Sequence, residues 1–437
     1  MNNSKTFIQT RQRSLEHIAD IVTKTGLYSF AFGYVLSKSL ANIGIGLLMI
    51  GFLMHIKDNW SWLKRDPLFI LSSTWLGFVI FVAIRASIAF PQNTGEQLKS
   101  IVEVFSFGFI PIVAYAIQGQ QRCILQVLIL FLAGLILRIL WDANLSGNGP
   151  FLDYSHHIFS TDKNFAAVVI CAGFIGLLLF AIHHAIYAKT QQSKLSNIGI
   201  LLLFVFIVMA WSSVKSRASW ISLGVSIIML FFFFLIFSYK QKVPRNAFII
   251  FLILIGGIGI FVATMYGKTF IMYLVQERET WQAILNADWD KMPKTSIGLR
   301  IYMWRLALNL WLQHPFFGWG TSVAHLLASN EMEPAIKGFN NFHNAYLEIL
   351  VRTGLVGGLF FLTAAILVFR SAYQAYKIQK MSVFLFIYLL EVLILFLLNN
   401  LSVSFLFAQH GWQYVVLFGS LAYSYRFVTH SKMETTA

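Results

Sequence analysis

The sequence predicts an all-α protein that crosses a membrane about 12 times. Three observations carry that prediction. Mean hydropathy is +0.69, with 57% hydrophobic residues. Charged residues make up only 12%, about half the share usual in soluble domains. The apolar residues fall in long continuous runs, 42 phenylalanines among them, and do not alternate, so they read as helices and exclude a closed barrel. A disordered chain, a fibrous repeat and an ordinary soluble enzyme are excluded by the same arithmetic.

Residues 1–25 are polar and basic, with Lys5, Arg11, Arg13 and Lys24. They lack the short apolar stretch and small-residue cleavage site of a removable signal peptide. Spans are expected near 26–38, 39–56, 68–90, 100–118, 123–142, 164–187, 197–214, 219–239, 247–267, 346–369, 383–400 and 404–425. The first is short and meets the second near Lys38. Cys123 and Cys171 fall inside spans and read as core thiols. No internal repeat is visible, which weighs against a transporter built from two related halves.

The formal net charge of +15 would suggest nucleic acid for a soluble protein. Here it follows the positive-inside bias. With the N-terminus in the cytoplasm, the inside segments hold about 18 Lys and Arg and the short outside segments about five. No nucleic-acid partner is expected, and both termini are placed in the cytoplasm. The chain divides into a transmembrane bundle of about nine spans over 1–267, a large external loop over 268–345, and three further spans with a short tail over 346–437.

The external loop carries seven basic and six acidic residues. It is too long for a simple connector. Residues 269–287 and 298–313 read as helices, the second apolar enough to lie at the membrane interface or against the spans. His314-Pro315 ends it, and Gly318, Gly320 and Gly338 supply turns. Asp288-Trp289-Asp290 reads as a solvated turn, not a metal site. The paired histidines His156/His157 and His314/His325 lack metal-ligand spacing.

Few polar residues interrupt this background, and several gather near the outer face. Arg85 and Arg138 lie late in their spans, Arg217 lies in a tight turn, and Arg300 and Arg305 lie on the external helix. Glu103 sits at similar depth and could pair with one of them. An ionised side chain in a span costs about 2.5–3.5 kcal/mol on insertion scales. Convergence of arginines on one face therefore suggests a phosphate-bearing lipid, since guanidinium forks suit phosphate. His343, just before the tenth span, can act as a general base or simply sit at the interface. Asn344 can cap that helix. Gly354 and Gly357 read as close helix-packing positions.

These residues carry a resemblance. His343-Asn344, nine residues, then Gly354-Leu-Val-Gly357 resembles the signature of bacterial O-antigen ligases. Ser216-Arg217-Ala218-Ser219-Trp220 resembles the Ser-Arg segment that opens a span in that family. Arg300-Ile-Tyr-Met-Trp304, followed by His314-Pro315-Phe-Phe-Gly318-Trp-Gly320, resembles a stretch shared by the wider ligase and polymerase superfamily. The motifs cover about a third of the chain.

The resemblance implies a GT-C-like membrane glycosyltransferase in the bacterial inner membrane. Its partners would be an undecaprenyl-diphosphate-linked glycan, a lipid A–core acceptor and membrane lipid. The active site would face the periplasm, and the reaction would be inverting, with no metal or cofactor. Arg217 and Arg300 would hold the donor diphosphate, and His343 would act on the acceptor hydroxyl. Arg85, Arg138, Arg305, Asn344 and Trp304 are the further candidates for substrate contact. An O-antigen polymerase is the nearest rival, but Arg-x10-Gly segments are missing: Ile228, Trp311 and Phe316 stand at that distance from Arg217, Arg300 and Arg305. A protein O-oligosaccharyltransferase would differ in acceptor. A lipid or solute transporter would need midplane charges, for which Glu391 is the nearest candidate.

Overall fold

A computed structural model describes residues 2–143, 157–159, 161–187, 193–239, 245–289, 292–328 and 334–430. The described residues are helical nearly throughout. Every expected span is occupied mainly by helix, the one over 100–118 in separate pieces. Among the described residues, seven helices are long and apolar enough to cross a membrane, and Ile198–Ser213, Phe248–Gly257 and Val383–Asn399 are shorter apolar helices.

Helix α1 (Asn2–Leu36) is continuous, so the basic N-terminal segment extends the first span as helix. The chain turns at Ser37, whose hydroxyl accepts from Leu40 N and caps α2 (Lys38–Leu63). The two helices approach closely at glycines: a Cβ on Gly26 would stand 2.7 Å from Leu48 N, and one on Gly33 2.7 Å from Ala41 N. Asp66 caps α3 (Pro67–Ala89), with proline at the first helical position, where its missing N–H costs nothing.

The expected helix over 100–118 is divided. α4 (Thr94–Phe105) gives way to a 3-10 stretch, Ser106–Phe109, before α5 (Ile110–Ile117). Pro111 cannot donate back into the preceding turn, so the ladder is interrupted there. α6 (Gln121–Trp141) follows. A two-residue antiparallel ladder, β1 (His157–Ile158) with β2 (Thr161–Asp162), leads into α7 (Lys163–Tyr187). Helices α8 (Ser193–Ser213), α9 (Arg217–Tyr239) and α10 (Arg245–Gln276) complete the first part.

α10 carries the ninth span and then continues through Ile271-Met-Tyr-Leu-Val275, where a separate loop helix is expected from 269. The apolar run has no breaker, so the helix persists until Glu277 and then resumes as α11 (Arg278–Leu285). α12 (Ser296–Gln313) matches the second expected loop helix, capped by Thr295 and stopped at His314 before Pro315. After α13 (Ala324–Ala328), the chain enters α14 (Ala345–Lys377) and α15 (Val383–Asn399). A 3-10 turn at Phe405–Phe407, α16 (Gln409–Tyr423) and α17 (Arg426–His430) follow.

α7 is the central helix: 78% of its apolar window is buried, against 22–50% for the other six long helices, which present broad apolar faces outward. Around it, α1, α6, α9, α15 and α16 form the main core, holding both free cysteines, Cys123 and Cys171. A second core surrounds Trp75, whose ring lies 5.4 Å from Phe107 and 5.0 Å from Phe360. A third belongs to the loop. Met303, Ala307, Leu310, Val323 and Phe342 pack on one another and on Val351 of α14. The apolar loop helix is thus seated on the bundle by its own small core.

Candidate active site

The site is built where the segment after α12 meets α14. At Gly354 the helix breaks, with φ 65° and ψ −166°, a conformation open essentially to glycine alone. His314-Pro-Phe-Phe-Gly-Trp-Gly320 runs alongside and takes up the freed backbone groups. Trp319 N donates to Val351 O (2.7 Å) and Gly320 N to Arg352 O (3.0 Å). Leu355 N donates to Pro315 O (2.8 Å) and Val356 N to Phe316 O (3.2 Å). A Cβ on Gly354 would collide with the Phe316 carbonyl. The helix-packing expectation is therefore corrected at Gly354, whose role is the break. It holds at Gly357, where a Cβ would meet Thr353 and, at 3.4 Å, Trp75.

Below the break lies a buried ionic network that sequence reasoning missed. Arg352 Nη2 stands 2.6 Å from Glu348 Oε1, one helical turn away, and both side chains are buried. Arg352 Nη1 also donates to Thr321 O and lies 3.7 Å from Glu103 Oε2. Ser404 donates to the other oxygen of Glu348. The anticipated partner of Glu103 is therefore Arg352, which the selected outer-face arginines did not include. An apolar surround makes full pairing necessary, because an uncompensated buried charge costs about 3–5 kcal/mol.

Three segments then bring His343, Arg300 and Arg217 together. His343 sits at φ 49°, unusual for a non-glycine residue, and its N–H donates to Asn341 Oδ1 (2.9 Å). Its ring stands edge-on to Phe339 at 5.3 Å, with Nδ1 buried and without a hydrogen-bond partner among the described residues. Burial, then the charge of Arg300, push its pKa down to about 4, against an opposing pull from Asp162. The imidazole is therefore neutral at pH 7.

Arg300, on α12, is fixed by Nε donating to Ser402 O (3.1 Å) and Nη1 to Ser296 Oγ (2.8 Å). Burial and neighbouring Arg217 lower its pKa, while Glu277 and Asp162 oppose that shift. Arg217 opens α9. Its Nη1 pairs with Glu277 Oε1 at 3.0 Å, and its guanidinium lies over Tyr273 at 4.8 Å. Ser216 Oγ donates to Asn164 Oδ1 (2.7 Å), tying this turn to the start of α7. Sequence reasoning missed both acids. In sequence Glu277 is one of six acids in the long external loop, and Asp162 falls between two expected spans. Only the break after α10 and the β1–β2 turn bring them beside arginines.

The other candidates have different surroundings. Arg85 donates to the carbonyls of Phe317 (3.4 Å) and Gly318, holding the segment that braces Gly354. Arg138 pairs with Asp142 (2.9 Å) and reaches Leu36 O (3.3 Å), joining α6 to α1. Arg305 is exposed and donates to Trp289 O (2.9 Å). Trp304 packs against the loop core, its Nε1 buried without a partner among the described residues. Asn344 caps α14, accepting from Tyr346 N (3.0 Å) and Leu347 N (3.1 Å) while Nδ2 donates to Leu401 O (3.2 Å). Asp288 closes the turn after α11 through its N–H to Ala283 O, whereas Asp290 and His156 lie outside the described residues.

Next to this cluster opens an apolar cavity of about 400 Å³ between α14, α15 and α16. Ala345, Tyr346 and Asn400 line one end, and Ala372 and Phe386 the other. Ala345 follows His343 by two residues, and Asn400 precedes Ser402, the partner of Arg300, by two.

Residues 198–362 match the family model described as O-antigen ligase. No curated protein matches the chain significantly. The matched segment contains Arg217, Glu277, Arg300, His343 and the Gly354 break, leaving Asp162 as the clustered side chain outside it. The match takes in the part of the chain that builds the site and supports a place in the O-antigen ligase family.

Proposed function

We propose that the protein transfers O-antigen glycan from undecaprenyl diphosphate to a sugar hydroxyl of lipid A–core. The reaction takes place at the periplasmic face of the inner membrane, with both termini in the cytoplasm. One juxtaposition carries the reading: Arg217, Arg300 and a neutral His343 lie close enough to influence one another's charge, and Ala345, two residues after His343, lines an apolar cavity that runs along α14. Counted along both halves of α14, on either side of the Gly354 break, Ala345 to Ala372 is roughly 40 Å of helix at about 1.5 Å per residue, set against a hydrocarbon layer of about 30 Å for a polyprenyl chain to cross. The match of residues 198–362 to the O-antigen ligase family model supports the coarser statement, a transferase acting on lipid-linked glycans.

The chemistry follows from the geometry. Arg217 and Arg300 hold the diphosphate, and their fixed charges stabilise the negative charge that develops as it leaves. The acceptor hydroxyl attacks the anomeric carbon from the opposite face. The new O–C bond forms as the C–O bond to phosphate breaks, the electron pair goes to the diphosphate, and the hydroxyl proton passes to His343. The configuration inverts. The positive charge is supplied by guanidinium groups, so the reaction proceeds in chelator.

Purified protein with undecaprenyl-diphosphate glycan and lipid A–core, in EDTA, should give a shifted lipid A–core band. His343→Ala should lower transfer at least about 100-fold, the usual weight of a positioned general base, while donor binding persists. Arg300→Ala should weaken donor binding. Near-normal transfer by His343→Ala would make that residue structural. A protein acceptor glycosylated, or the donor glycan lengthened, with lipid A–core left unmodified would keep the donor site and overturn the acceptor.

A further inference from the structure

The proposed transfer changes the charge of the lipid head group. A glycosylated diphosphate is a diester with two ionised oxygens. The polyprenyl diphosphate left behind ends in a phosphate monoester, whose further ionisation falls near pH 6. Arginines that bind the donor therefore bind the product more tightly, and turnover needs something that tempers them.

Glu277 is placed to do so. Its Oε1 pairs with Arg217 Nη1 at 3.0 Å, with side-chain exposures of 5% for the acid and 36% for the arginine. The carboxylate therefore neutralises the guanidinium from the protein side and leaves the other edge open. Glu277 Oε2 is buried and has no hydrogen-bond partner among the described residues, so this carboxylate is not consumed in a larger structural network. Its position is fixed by the break between α10 and α11, where Glu277 has φ −95° and ψ 7°. Tyr273, one turn earlier on α10, carries the guanidinium on its ring face. The charge of Glu277 is also felt at Arg300.

We propose that Glu277 is a positioning residue that holds Arg217 and sets its effective charge, so that the polyprenyl diphosphate product is released after transfer. This rests on the reading of the site as one for a polyprenyl diphosphate donor. Glu277→Gln keeps an acceptor for Arg217 and removes the opposing charge. The variant should therefore hold a more highly charged ligand disproportionately well.

The test uses the full chain in proteoliposomes, with undecaprenyl diphosphate and the undecaprenyl-diphosphate glycan as the two ligands. Glu277→Gln should bind the product about tenfold more tightly than the unsubstituted protein, and the donor only about threefold. In steady state its kcat and donor KM should fall together, with stronger inhibition by added product. Glu277→Asp, which keeps the charge but shortens its reach, should give an intermediate product affinity. Equal tightening of both ligands, weaker product binding, or a lower kcat with unchanged KM would overturn the proposal. Should Glu277→Gln not fold, an unaltered product affinity in folded Glu277→Asp would overturn it as well. If the unsubstituted protein binds neither ligand, the donor reading itself fails. If it binds both and the variants leave their ratio unchanged, this proposal alone fails.

Discussion

His343 shows how a single residue is prepared for the role proposed for it. Its left-handed backbone costs about 1–2 kcal/mol for an L-residue, and the ring is held on Phe339 beside Arg300. Burial and that cation favour the neutral form. A basic group whose pKa is lowered on folding adds stability above its unfolded value, near 6.5, and loses it as pH falls through the folded value of about 4. The same sign applies to activity. Transfer should hold steady from neutral pH down to about 5 and fall as the imidazole protonates. An anionic diphosphate beside the ring favours the imidazolium, so the acid limb should lie at higher pH in kcat than in kcat/KM. A pH–rate profile of purified protein checks both points, and identical limbs would remove the donor from the neighbourhood of His343.

Elements matter here chiefly where they break. Gly354 interrupts α14, and the segment from Pro315 to Gly320 bonds the exposed backbone groups. Two separated glycine motifs are therefore halves of one joint. Gly318 stands at φ 63°, and a Cβ there would stand 2.5 Å from the Arg352 carbonyl carbon. Gly354→Ala should destabilise the protein by at least about 2 kcal/mol, since a glycine-only backbone costs about 1–3 kcal/mol before any collision. Thermal unfolding in detergent would measure it, and an unchanged midpoint would contradict the brace. Gly338, expected only to make a turn, has open space around its Cβ position, so Gly338→Ala is a fitting control.

For the whole molecule, the proposed donor site makes the apolar cavity the expected path of the lipid. It is bounded by helices from the C-terminal third together with Phe107 and Ile110 of the 3-10 stretch and α5. A bulky side chain at Ala365, midway along α14, should raise the donor KM severalfold for long polyprenyl chains and leave a short-chain analogue little changed. Equal effects on both would place the chain elsewhere.

Much of this architecture was legible in the sequence because the solvent leaves little choice. Backbone groups in hydrocarbon must bond within their own helix, so apolar length and continuity fix where the helices run. Motif spacing singled out Arg217, Arg300 and His343, and Asn344 as a cap. Composition could not show that the tenth span is broken at Gly354, that α10 runs past its span to Glu277, or that Glu103 pairs with Arg352. Those outcomes depend on which backbone groups and charges meet once the chain has folded. Sequence by itself determined the class of protein, the helices and the candidate site residues Arg217, Arg300 and His343. The tertiary structure decided their company: Glu277 on Arg217, Asp162 near His343, and an apolar cavity beside them. Burial and distance set the strength of a charge, and both exist only once the chain has folded.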